Sequence, residues 1–150
     1  MFTATTHHGI FVTDQDEALD FYVGKLGLQV SADIDLGMMR WLTVRIPGED
    51  RHILLEPFGP PGQDEQTAAQ AREVASKGGM GLALIFTTDD AHATYAALCE
   101  KGVELSEEPV ERPYGIDFGL RDPFGNSVRI TQPIQASQED IQSAYDAARA

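Results

Sequence analysis

The sequence predicts an α+β fold of two tandem βαβββ modules, with one helix between the modules and another at the C-terminus. Three observations predict it. The stretch IFVTDQDEALDFYVGKLGLQVS, residues 10–31, aligns without a gap to IFTTDDAHATYAALCEKGVELS, residues 85–106, at an offset of 75 (Asp89 minus Asp14). Further along, RIPGEDRHILLEP (45–57) matches RDPFGNSVRITQP (121–133), with their final prolines at an offset of 76 (Pro133 minus Pro57). Each copy also reads in the same order, a β-branched and aromatic strand, a helix, then three strands; an internal repeat of this kind constrains architecture more firmly than local propensity.

The first strand of each copy ends at an aspartate, Asp14 or Asp89, placed to cap a helix by accepting from first-turn amides. Glu17 follows Asp14 at capping-box spacing. Ala18, Phe21, Tyr22 and Leu26 form the apolar stripe of the first helix, and Gly27 and Gly102 follow Lys25 and Lys101 as C′ glycines. Three strands are then expected in each copy: GLQVSAD, MMRWLTVRI and RHILLEP in the first, VELSEEP, YGIDFGLR and SVRITQP in the second. PGED and DPFGN join the last pair of each copy as hairpin turns, a structural role despite their resemblance to signatures. Module one therefore spans about residues 5–57 and module two about 81–133, within a single domain covering 1–150. A Pro/Gly break precedes a linker helix at about 64–77, and the tail forms a helix at about 137–149. Covering a sheet edge, closing a cavity and supporting a dimer are all open to these two helices.

Composition narrows the function. At 150 residues and 42% hydrophobic content the chain supports one globular core. Its 24 acidic and 11 basic residues give a formal charge of −13, which argues against nucleic acid or an anionic membrane as partner and favours cationic partners, or simply solubility. One cysteine, Cys99, excludes an intramolecular disulfide, and its setting in YAALCEKG reads as a half-buried helix position rather than a catalytic thiol. With no secretory leader and no membrane-spanning run in the sequence, a cytoplasmic location is expected.

The tandem modules, DEALDFYVGKLGL after the first strand and LRDPFGNSVRI near the end together resemble the vicinal oxygen chelate superfamily, over about residues 5–133. That superfamily includes glyoxalase I, bleomycin-resistance proteins and extradiol dioxygenases. The PPG…TAAQ…KGG insertion is similar to that of a broad glyoxalase-like bacterial group. The resemblance implies a metal site with one ligand from the first and one from the last strand of each module. His7 falls on the first of these positions, whereas the others fall on Ile53, on Leu82 or Ala83, and on Arg129. A guanidinium has no lone pair to donate, so no family metal centre and no other cofactor is expected; His52 and Glu56 remain as alternative ligands for a divalent metal. Those two share a face of RHILLEP opposite to Ile53 and Leu55, so recruiting them requires a register slip or bulge.

The resemblance also implies that the two modules form curled mixed sheets around a cavity, and strand alternation then assigns its lining. His7 and Phe11 point inward, with Ile10, Val12 and His8 on the helix side; Trp41 and Thr43, Ile53 and Leu55, Tyr114 and Phe118, and Arg129 and Thr131 complete the expected binding set. A histidine at one side and an arginine at the other suit a small organic ligand bearing an anionic oxygen, gripped by Arg129. The alternative for Arg129 is pairing with an acid such as Glu56 or Asp117. Two functions compete, a metal-independent binding protein, as the bleomycin-resistance resemblance implies, and an enzyme; a purely structural or partner-binding role has no positive feature beyond the two extra helices. The enzyme would be a lyase, isomerase or dioxygenase, either metal-dependent or with His7 as general base and Arg129 as electrostatic stabiliser. A homodimer is expected from the resemblance.

Overall fold

The computed structural model describes residues 1–150 and shows an α+β fold with two βαβββ-like modules forming two mixed four-stranded sheets. Module one runs β1 (His7–Val12), α1 (Gln15–Leu19) with a π-helical continuation over Asp20–Lys25, β2 (Gln29–Asp35), β3 (Arg40–Arg45) and β4 (His52–Pro57). The linker helix α2 spans Glu65–Ser76. Module two runs β5 (Leu82–Thr87), α3 (Ala91–Glu100), β6 (Val110–Arg112), β7 (Gly115–Arg121) and β8 (Ser127–Pro133), and α4 covers Gln138–Arg149. The sheet orders are β1-β4-β3-β2 and β5-β8-β7-β6, the same arrangement twice.

The chain divides into two compact units, Met1–Ala83 with Asp122–Asn126, and Leu84–Arg121 with Ser127–Ala150. In the first, β1 runs parallel to β4, and β3 is antiparallel to both β4 and β2. Asp14 caps α1 through the Glu17 amide at 2.8 Å. The helix then widens: the Leu26 amide bonds the Phe21 carbonyl five residues back, and Ala18, Phe21 and Tyr22 are buried. They lie in one core with Ile10, Val12, Leu42, Val44, Ile53 and Leu55, all less than 9% exposed.

Within the same unit, the turn at residues 122–126 is built around one carboxylate. Asp122 Oδ1 accepts from the backbone amides of Phe124 (2.9 Å) and Asn126 (2.8 Å), and Oδ2 accepts from Asn126 Nδ2 (2.7 Å) and the Tyr22 hydroxyl (2.7 Å). Burial, and then the adjacent Asp122 charge and hydrogen bond, push the Tyr22 phenol far above its ordinary range and keep it a donor. Asn126 Nδ2 also donates to the Phe11 carbonyl at 2.9 Å, tying the turn to β1. Gly125 adopts φ +87°, and a Cβ there would lie 1.9 Å from the Ala75 carbonyl oxygen at the end of α2. DPFGN is thus structural, as its composition implied.

Three expectations about the elements of the second unit need correction. The helix cap is Asp90, whose carboxylate accepts from the Ala93 amide at 2.9 Å, rather than Asp89. Three residues separate β5 from α3 where two separate β1 from α1, which displaces the cap by one. VELSEEP does not form a strand; it contributes a single bridge, Leu105 to Leu120, and pairing resumes only at β6. Pro109 has no amide to donate, and the Glu107 side chain is drawn to Arg129, so a continuous ladder is lost there. Cys99 is exposed on α3 rather than half-buried.

The Asp122 turn predicts two graded losses. Tyr22→Phe should destabilise by about 1–2 kcal/mol and Asp122→Ala by about 3 kcal/mol or more, since the latter leaves several buried donors without an acceptor. Urea denaturation followed by circular dichroism measures both; equal effects would contradict the four-donor account.

Candidate functional site

β1 and β4 pair with His7 opposite His52, Gly9 opposite Leu54 and Phe11 opposite Glu56, while Thr43 of β3 lies opposite Leu54. One face of the first sheet therefore presents His7, Phe11, His52, Glu56, Thr43 and Trp41. The other carries Ile10, Val12, Ile53, Leu55, Leu42 and Val44, the core shared with the first helix. Ile53 and Leu55 were expected beside His7 and are not. Aligning the copies on their final prolines placed Ile53 with Arg129, but β4 has six residues and β8 seven. The offset of 75 persists into the last strands, pairing Leu55 with Ile130 and Ile53 with Val128, all buried. A one-residue slip in alignment exchanges the two faces of a strand. His52 and Glu56 consequently share the His7 face with no bulge in β4, and His8 lies on the Ile53 face, exposed at the strand end.

On that face the rings converge. His7 and His52 stack with centroids 4.8 Å apart and planes 20° from parallel, and Trp41 lies 5.8 Å from His7, tilted by 58°. His52 Nδ1 is 2.9 Å from Ser31 Oγ, which is 2.7 Å from Thr43 Oγ1. Ser31 reaches this position because the β2–β3 register shifts between Val30 and Ala32, a bulge that re-aims one side chain. The relay holds the orientation of the His52 ring through Nδ1. His7 is held from the strand end by Thr6 Oγ1, 2.9 Å from its Nδ1.

The opposite end of the face is closed. Phe11 stacks on Phe58 at 5.0 Å, and Phe58, Ala68 and Ala75 form a small core against which Phe11, Ala71 and Met80 pack. In this unit α2 therefore packs over Phe11, and His7, His52 and Trp41 lie towards the other end of the face. Glu56 borders Gly9 and Gly62, where a Cβ would stand 3.4 and 2.8 Å from its carboxylate oxygens.

The second unit gathers charge instead. Asp117, 2% exposed on β7, accepts from Arg129 Nε (3.0 Å) and Nη2 (2.6 Å), from the Tyr114 hydroxyl (3.0 Å) and from Arg112 Nε (3.3 Å). Arg129 also pairs with Glu107, as does Arg112 Nη2 at 3.5 Å. Thr131, opposite Asp117, shares this face. Phe118 does not: fully buried, it lies opposite Ile130 and meets Tyr95 of α3 edge-on at 5.4 Å, so its assignment beside Tyr114 is corrected. Tyr114 precedes β7 in a turn, and Gly115 at φ +141° breaks the alternation that would have put the two on one side. Burial alone would raise the Asp117 carboxyl, but hydrogen bonds from Arg129 and Tyr114, and the Arg129 charge, outweigh it and hold the group below its ordinary range.

No three His, Cys, Asp or Glu side chains are grouped to hold an ion, and the last strand of module two offers a guanidinium committed to carboxylates. Ser31, Phe58, Glu107 and Arg112 are site neighbours that sequence reasoning missed. A bulge and an irregular segment place the first and third, and neither has a periodic signature.

With the geometry established, comparison with known proteins defines the class. Residues 4–130 match the Glyoxalase/Bleomycin resistance protein/Dioxygenase superfamily, and the chain belongs to that family. An uncharacterized Bacillus subtilis (strain 168) protein, YurT, is 34% identical over 125 residues, covering 82% of this chain and 94% of the relative. The crystal structure of UcmS2 is similar at 38% identity with a TM-score of 0.82, covering 87% of this chain and 98% of that one. TnmS3, described as an antibiotic binding protein from Streptomyces sp. CB03234, is 29% identical with a TM-score of 0.71, covering 89% and 98%. No helix is long and apolar enough to cross a membrane.

Asp117 gives the fold an acid limb. Its depressed native pKa contributes stability that is fully present above the unfolded value of about 3.9 and is lost as pH falls through the native value. Thermal melts of the wild-type chain should therefore fall below about pH 4. Asp117→Asn should be less stable at pH 7 yet lose less between about pH 4 and pH 2; parallel curves for the two proteins would refute this.

Proposed function

We propose that this chain is a metal-independent small-molecule binding protein that holds an organic ligand on the His7–His52–Trp41 face of its first module. The observation that carries this reading is the convergence of three aromatic rings beside the Ser31–Thr43 hydroxyl pair, at the end of the sheet face not packed under α2. Ring faces and a few fixed polar groups are the usual means of holding a flat organic molecule. The likeness to TnmS3 supports an antibiotic or a similar compound as ligand class. The −13 charge favours a neutral or cationic ligand over an anionic one at this face. A homodimer and a cytoplasmic location complete the reading.

The catalytic alternative, with His7 as base and Arg129 as stabiliser, has less support, because the Arg129 guanidinium is already engaged by Asp117 and Glu107. A metal-dependent lyase, isomerase or dioxygenase would need a donor set beyond His7, His52 and Glu56. Metal analysis of untagged protein tests this directly: a stoichiometric transition metal lost on His7→Ala would replace the proposal with the metal-dependent reading.

Trp41, the one tryptophan in the chain, is a built-in reporter. A panel of aromatic antibiotics should contain members that quench its fluorescence saturably and raise the melting temperature. For such a member, His52→Ala should weaken binding by about 5- to 50-fold, the equivalent of roughly 1–2 kcal/mol. Quenching with unchanged affinity in His52→Ala would move the ligand off this face. Light scattering across the micromolar range checks the dimer.

A further inference from the structure

The ion-paired cluster of the second unit has two carboxylates in different situations. Asp117 is buried in the middle of β7, and four hydrogen bonds from Arg129, Tyr114 and Arg112 occupy its oxygens. Glu107 lies in the segment between α3 and β6, which has no regular pairing at that residue, and its side chain is 31% exposed. The Glu107 oxygens meet only the outer nitrogens, Arg129 Nη1 and Arg112 Nη2. Two guanidinium groups set against Asp117 alone leave one positive charge, and Glu107 is its counterion.

The strand leaves room for that counterion. Gly119 lies directly opposite Arg129 in the β7–β8 register. A Cβ on Gly119 would stand 2.5 Å from Ser106 Oγ, 3.3 Å from Arg129 Nη1 and 3.5 Å from Glu107 Oε1. Any other residue at this position would displace the Ser106 hydroxyl and press on Arg129 Nη1, the nitrogen that Glu107 meets. The segment is anchored beside Glu107 by the Ser106 amide, which donates to the Gly119 carbonyl at 2.9 Å, so the carboxylate can leave without unpinning the backbone.

We propose that Arg112 and Arg129 form a carboxylate-binding site that the chain occupies with its own Glu107, and that a ligand carboxylate takes its place by displacing that side chain. Two guanidinium groups bridged by one carboxylate are a charge-assisted arrangement that a free carboxylate reproduces without change of geometry. The site belongs to the second unit and does not depend on the aromatic face of the first.

Acetate is the probe. In Glu107→Ala the vacated position should bind it: the melting temperature should rise saturably with sodium acetate, by at least about 2 °C beyond sodium chloride at the same ionic strength. The wild-type protein should show a smaller acetate-specific rise, because Glu107 competes. Adding Arg112→Gln to Glu107→Ala should abolish the effect while Arg129 still neutralises Asp117. Glu107→Gln, which keeps the segment filled but removes the charge, should fall between Glu107→Ala and wild type, and it stands as the test if Glu107→Ala does not fold. Equal responses to acetate and chloride in the foldable Glu107 variants, or an acetate effect unchanged by Arg112→Gln, would overturn the proposal.

Discussion

The Asp122 carboxylate is the point on which the first unit depends. It accepts from two backbone amides, one side-chain amide and one phenol, all buried. Each donor belongs to a piece of chain that would otherwise have to satisfy itself. The turn closes through Phe124 and Asn126, the π-helical segment is pinned through Tyr22, and β1 is joined through Asn126 and the Phe11 carbonyl. A buried carboxylate of this kind is tolerated only when its oxygens are fully used. The widened helix belongs to the same arrangement, because the π turn carries Tyr22 in the segment where Phe21 and Tyr22 are both buried.

From that fixed frame the two units diverge. The first sheet turns rings and hydroxyls to the face opposite Ile53 and Leu55, with a histidine pair at one end and a phenylalanine pair under α2 at the other. The second turns charges, balanced as two arginines against two carboxylates. Duplicated modules have thus kept one strand order and taken on different surface chemistry. That is consistent with the breadth of the family: the fold fixes where side chains can point, and the chemistry at those positions decides what is bound.

Much of this was legible in the sequence. The repeat gave the order of elements along the chain, Asp14, Gly27 and Gly102 marked the helix limits, and the placement of His7, Phe11, Trp41 and Thr43 on one face followed from alternation. What was not legible came from one-residue events. The shorter β4 moved Ile53 and Leu55 to the core and brought His52 and Glu56 beside His7. The extra residue before α3 moved a cap from Asp89 to Asp90. The turn at Gly115 separated Tyr114 from Phe118. Periodicity of two carries no protection against such slips, because a single insertion reverses every later assignment. Arg129 sat on the expected face, but its partners come from Glu107 in an irregular segment and Asp117 two residues from Gly119, and neither pairing has a sequence period.

The turn at residues 122–126 also bears on the order in which the protein is made. Although it lies close to the end of the chain, it completes the unit that begins at the N-terminus. During synthesis β1, the first helix and β2–β4 emerge well before the residue that accepts from Tyr22. Until then, the buried phenol and the Phe11 carbonyl lack their partners, while the whole segment from Leu84 to Arg121 is still being added. At about 5–20 residues per second, that interval lasts several seconds. The N-terminal module therefore lacks its closing turn until that piece of the second module's hairpin has been made.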